Sequence, residues 1–190
     1  MRKIVSVFGA LLTVGLMSCG DVNRKGLPVD LFVTTTSQPI QRFDLFGGNG
    51  CSTASTFVVL EIQSRLLDTT VTNTSFLDIR LNSYRVTYAR TDGGHQVPAP
   101  YVRSLDVLIP TGGSSNTVVF HITDFQQIFT QAPFPALLPQ NGGRDPETGL
   151  AVVKMNITLE IFGETLAGDR VSASTTFPLD VCYNCGGCQP

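Results

Sequence analysis

From residue 29 onward, apolar and polar side chains alternate with period two through most of the chain. Val153, Met155, Ile157, Leu159 and Ile161 share one side of segment 151–162, while Lys154, Asn156, Thr158 and Glu160 share the other. That is the pattern of a strand with one buried face. The segment 171–181 repeats it, with Val171, Ala173, Thr175, Phe177, Leu179 and Val181 in one register. Val58, Leu60 and Ile62 mark a strand in 57–67, and Val118, Phe120 and Ile122 mark one in 116–123. Segments 29–36, 40–46 and 102–110 are further strand candidates. Segment 76–90 is long and changes phase: Ile79 and Leu81 lie in one register, Tyr84, Val86 and Tyr88 in the other. A bulge near Asn82-Ser83, or a strand that passes between sheets, accounts for such a shift.

The breaks between these segments are turn signals, among them Asp92-Gly93-Gly94, residues 111–115 and Ala167-Gly168-Asp169. Eight or nine short strands, with no spacing for a helix between parallel strands, predict an all-β domain. The expected architecture is an antiparallel, immunoglobulin-like β-sandwich, on strand count and alternation alone. The Cys-Trp-Cys core of true immunoglobulin domains is absent, because the chain has no Trp. A lipocalin-like β-barrel fits the same alternation. One stretch departs from the rhythm. Thr123 and Gln126 have capping-box spacing for a short helix that Pro133 should stop, and residues 134–149 then read as a long irregular loop. Loops of this length are often functional. Phe129, Phe134, Leu137 and Leu138 make this one apolar, either as a plug over one end of the sandwich or as a partner-binding lip.

The N-terminus has a different pattern. Arg2 and Lys3 precede an uncharged run from Ile4 to Leu16, followed by Met17-Ser18-Cys19-Gly20. A basic start, a short apolar stretch and small residues form the profile of an export signal. The run is too short for a membrane span, which needs about 20 residues. Leu16-Met17-Ser18-Cys19 resembles the lipobox of bacterial lipoproteins, with Met17 where a smaller residue is usual. The resemblance covers this segment only. It implies cleavage after residue 18, a lipid on Cys19, and residence in the bacterial cell envelope, at the outer membrane. Residues 19–28 then form a polar tether, with nine residues reaching at most about 30 Å, and residues 29–181 form the sandwich. The folded body, its apolar loop 129–138 included, is expected close to the bilayer.

Composition narrows the partners. Removing residues 1–18 leaves 190 − 18 = 172 residues, the size of one domain, with a net charge of (13 − 2) − 15 = −4. A mildly acidic chain with scattered Lys and Arg has no footprint for nucleic acid. The lipid on Cys19 is the expected membrane contact, and an envelope protein is the expected partner.

Four further cysteines are Cys51 and the cluster Cys182, Cys185 and Cys188 at the start and in the body of a tail, 182–190. In an exported protein such cysteines favour disulfides. Four allow three connectivities, each of which joins Cys51 to one of the C-terminal three. A Cys51–Cys182 bond would close 182 − 51 = 131 steps of chain, for which loop entropy gives about 4–5 kcal/mol. Alternatively, Cys185-Gly-Gly-Cys188 forms a redox-active pair, although it lacks the helix start that lowers a thiol pKa. Four-Cys zinc or an iron–sulfur cluster has the ligand count but no cofactor fold around it.

Other chemistry is sparse. His95 and His121 are the two histidines, both expected on the surface, and no G-x-S-x-G elbow is present. Gly47–Gly50 lacks the lysine of a phosphate loop. Asp145-Pro-Glu147-Thr-Gly149 has two acidic residues but not the ligand order of an EF-hand. Glu61, Asp78, Asp106 and Glu160 are scattered singly. The expectation is a non-catalytic binding or structural module that uses no cofactor and no metal. A carrier of a small apolar ligand and an exported thiol–disulfide protein using Cys185 and Cys188 are the alternatives.

Overall fold

The cleanest alternation in the sequence becomes the centre of the larger sheet. β7 (Val152–Thr165) and β8 (Arg170–Cys182) form a hairpin whose inward residues, from Val153 to Ile161 and from Phe177 to Val181, are buried. The computed structural model describes residues 28–35, 41–45, 57–67, 70, 72, 75–113 and 115–184. Among these, the other strands are β1 (Val29–Thr35), β2 (Gln41–Asp44), β3 (Phe57–Leu66), β4 (Ile79–Arg90), β5 (Tyr101–Ile109) and β6 (Asn116–His121). One helix, α1 (Phe125–Thr130), lies between β6 and β7.

The strands form a three-stranded sheet, β1-β3-β6, and a five-stranded sheet, β2-β8-β7-β4-β5. Two sheets face each other across one apolar cluster that draws on both. The expected sandwich is therefore present, and among the described residues the strands form two separate sheets instead of a closed barrel. In chain order the strands correspond to A, A′, B, C, C′, E, F and G of an immunoglobulin-like sandwich, with A-B-E facing A′-G-F-C-C′. Among the described residues a parallel bridge, Ser64 to Thr111, links the sheets at one corner.

Two details differ from the expected pairing. β2 runs parallel to β8, not antiparallel. The chain changes sheets between β1 and β2 while keeping its direction, and the neighbour it meets, β8, points the same way. The phase shift in β4 resolves as a bulge: register slips between Leu81 and Ser83 against both β5 and β7, and the strand stays in one sheet. Gly163 stands opposite that slip, where a Cβ would lie 2.8 Å from the Arg80 carbonyl oxygen. Glycine is what lets the two backbones close there.

The two ends of the sandwich differ. Pro28 enters at one end, where its carbonyl accepts a bond from Leu67 N (2.8 Å). That end, here called proximal, also carries the β3–β4, β5–β6 and β7–β8 connections. The opposite, distal end carries the β4–β5 connection and the long β6–β7 connection, residues 122–151. Strand β3 alone, at about 3.3 Å per residue, separates the ends by about 30 Å. The apolar loop 129–138 therefore lies at the end opposite Pro28. Alternation within strands says nothing about which loops share an end.

Candidate functional site

The distal loops are organised around one buried cation. Arg90 continues the inward register of Tyr84, Val86 and Tyr88 at the end of β4, so its guanidinium is carried inside, with 2% of the side chain exposed. A buried charge needs partners, and the next turn supplies the first. Asp92 accepts from Arg90 through both oxygens, Nε to Oδ1 at 2.7 Å and Nη2 to Oδ2 at 2.9 Å. The second comes from the far side of the long loop: Asp145 Oδ2 accepts from Nη2 at 2.9 Å. Nη1 reaches the Gln96 carbonyl at 3.3 Å and lies 3.8 Å from Glu147. Gly94 lies against the guanidinium plane, where a Cβ would come within 2.4 Å of it.

Each carboxylate also ties down backbone. Asp92 accepts from the Gly94 and Lys154 amides, Asp145 from the Thr148 amide and hydroxyl, and Glu147 from the His95 and Gln96 amides. The result clasps segment 91–96 to the turn 145–149. Burial by itself would raise the Asp92 pKa, but the guanidinium and the two amides outweigh it and bring it down to about 2. Asp145 is also lowered, since Arg90 and Thr148 overcome the effect of burial. Glu147 is lowered chiefly by the Gln96 and His95 amides. Burial works against the Arg90 charge, yet its two aspartates raise its pKa above the ordinary arginine value. These carboxylates are held as anions across the neutral range, so their arrangement is that of a structural clasp rather than a proton-transfer pair.

The rest of the long loop is pinned by neutral groups. Helix α1 is capped by Asp124, which accepts from Gln126 N, while the Gln127 side chain returns to Asp124 N. The capping box is real but starts one residue later than Thr123 and Gln126 suggested, because the Thr123 side chain is buried. Gln127 Nε2 donates to the Ala99 carbonyl, and Gln131 accepts from Ala99 N, both at 2.8 Å. These bonds dock α1 on the β4–β5 connection. Tyr88 donates to the Ile122 carbonyl at 2.7 Å, and Tyr101 donates to that of His121. Burial raises the pKa of both phenols.

The four candidate loop residues divide. Phe134 and Leu137 are fully buried, and Phe134 meets Phe43 of β2 edge to face at 6.1 Å. They plug the distal end and present no surface to a partner. Leu138 is partly buried. Phe129 is 52% exposed and shares the distal surface with Val97 and Leu150. His95 and His121 are exposed, as expected.

Of the cysteines, Cys182 ends β8 and is buried, opposite Asp44 of β2. Cys19, Cys51, Cys185 and Cys188 lie outside the described residues, as does Gly47–Gly50. Among the described residues no three His, Cys, Asp or Glu side chains are placed to hold a metal ion. No helix among them is long and apolar enough to cross a membrane.

The alternation reading missed the Arg90 clasp, although one signal for it was present. A charged residue in phase with three buried ones, followed by Asp-Gly-Gly, indicates an inward charge with a local counter-ion. The partner 55 residues away, Asp145, had no such local mark. Comparison with protein-family models, with curated proteins and with solved structures found no match.

Proposed function

We propose that the protein is a bacterial envelope lipoprotein, anchored at the outer membrane through a lipid on Cys19, whose sandwich is a non-catalytic binding or structural module. Its working surface is the distal one, formed by α1, the β4–β5 connection and the turn 145–149, with Phe129, Val97 and Leu150 exposed among polar neighbours. The observation that carries this reading is the Arg90 clasp. A long loop held in one shape by a buried ion network is preorganised, and preorganisation lowers the ordering cost of binding. Its position opposite the entry of the tether favours a partner in the envelope space over the membrane itself.

Photocrosslinking in cells tests it. Crosslinkers at 97, 129 and 150 should capture one discrete adduct, and a crosslinker at Thr176 on the outer face of the larger sheet should not. Equal or absent capture at all four positions would refute the distal surface. Replacing Cys19 with Ser should leave an unprocessed, lipid-free precursor.

The pairing of β2 with β8 supports the disulfide staple. Asp44 lies opposite Cys182, and Cys51 follows only 51 − 44 = 7 steps later, a span that readily meets the 4.4–6.8 Å Cα separation of a disulfide. Thiol trapping separates this from the redox alternative: the staple predicts no readily labelled, cycling pair at Cys185 and Cys188. The carrier alternative needs a hollow interior, whereas the described core is a continuous cluster of buried side chains.

A further inference from the structure

We infer that the proximal end of the sandwich docks on the lipid surface that carries the anchor, with Phe76 and Leu166 as the side chains that enter it. This rests on the lipid-anchor reading above. Phe76 is 67% exposed, the most of any large apolar side chain described, and Leu166 and Leu67 are each 50% exposed. All three belong to the end where Pro28 enters. Leu67 N donates to the Pro28 carbonyl, Ala167 N to that of Phe76, and Leu166 N to that of Asp78. The tips of the β3–β4 and β7–β8 connections are thereby joined by backbone bonds beside the start of the tether.

Their order has a visible cause. Phe76 lies in a 3-10 turn, Ser75–Leu77, whose Leu77 is buried and whose carbonyl accepts from Thr111 Oγ1. The turn is held from below while its phenylalanine is left outside. Nothing in the core requires an aromatic ring there. The length of the tether says what covers it. From Cys19 to Pro28 the chain spans nine steps, or at most about 30 Å, so a lipid on Cys19 keeps this end within that reach of the headgroups. Within that reach, apolar side chains on loop tips can meet the interface and gain by burying their surface there. Two weak contacts then act together, since the anchor sets the local concentration for the second. The docked pose points the distal loops away from the membrane.

The chain contains no Trp, so one introduced indole reports on one place. Full-length lipidated Phe76→Trp, Leu166→Trp and Phe129→Trp proteins are reconstituted in phosphatidylethanolamine–phosphatidylglycerol vesicles, with and without brominated acyl chains. Flotation reads the anchor, and bromine quenching reads the docking. We expect Phe76→Trp and Leu166→Trp to be quenched roughly twofold or more with a blue shift, and Phe129→Trp to be unaffected. Flotation without quenching at either proximal position overturns the docking and leaves the anchor standing. A blue shift without quenching, as a protein partner or second copy would give, also overturns it. Failure to float refutes the anchor and, with it, this orientation.

Discussion

The two ends of the sandwich solve the same problem with different chemistry. At the distal end, segment 122–151 adds no strand to either sheet among the described residues, and a buried guanidinium that reaches two separate segments ties its turn 145–149 down. At the proximal end no connection is as long as 122–151, and two hydroxyls and one carboxylate make the ties. Thr111 donates to the Leu77 carbonyl, contacts Ser64 Oγ at 3.2 Å, and has its amide bound by Asp78 at 2.9 Å. Arginine suits the first task because its planar fork offers five donors in fixed directions. The difference teaches that a clasp made of buried charge holds a longer loop but fails more completely when one member is removed. Asp145 shows why: it is fully buried, and its Oδ1 has no hydrogen-bond partner among the described residues, so the anion relies on Arg90 and Thr148.

The largest expected effect follows directly. Arg90→Met should destabilise the fold by about 3–5 kcal/mol, because it leaves Asp92 and Asp145 buried without a cation. Urea unfolding measures the loss, and hydrogen exchange should rise first at 91–96 and 145–149. An effect under about 1 kcal/mol would mean that the clasp is not what holds the loop. Phe134→Ala should fall in a similar range, about 3–5 kcal/mol, since it empties the plug against Phe43. Exchange should then spread to β2, which Arg90→Met spares.

Acid sharpens the contrast between the ends. The folded Asp92 pKa is about 2, below its ordinary value of 3.8. The unfolded chain therefore binds more protons between those values, and stability rises with pH there. The contribution is fully present above about pH 4 and is lost as pH falls through 2; it amounts to about 2 kcal/mol. Asp145 and Glu147 act in the same direction. Asp92→Asn should flatten this part of the curve of unfolding free energy against pH. At the proximal end, Thr111→Val should cost about 1–2 kcal/mol by leaving the Leu77 carbonyl unbonded, with no change in the acid profile. The smallest effect belongs to the outer face of the larger sheet. Arg80 pairs with Asp106 at 2.8 Å with both side chains largely exposed, and Arg80→Ala should leave the thermal midpoint unchanged within error.

Much of this fold was legible from residue order because a strand advertises its buried face locally. Alternation located every strand to within about three residues at each end, and the phase change in β4 placed its bulge. Turn chemistry marked the β7–β8 hairpin, where Gly168 has a φ of +97°. The candidate site was less legible. Phe129, Phe134, Leu137 and Leu138 look alike in a list of apolar loop residues, yet packing against Phe43 makes Phe134 a plug and leaves Phe129 outside.

By itself, then, the sequence determined the strands, their inward faces and the all-β class, because each depends on neighbours two residues apart. Only the tertiary structure decided that two sheets pack face to face and do not close into a barrel. It also decided that the four-residue β2 lies parallel to β8, because so short a strand carries no local mark of its partner. Pairing across 55 residues made Arg90 and Asp145 a unit, and the course of each strand assigned the described loops to one end or the other. These outcomes depend on long-range contacts, whose partners no local pattern records.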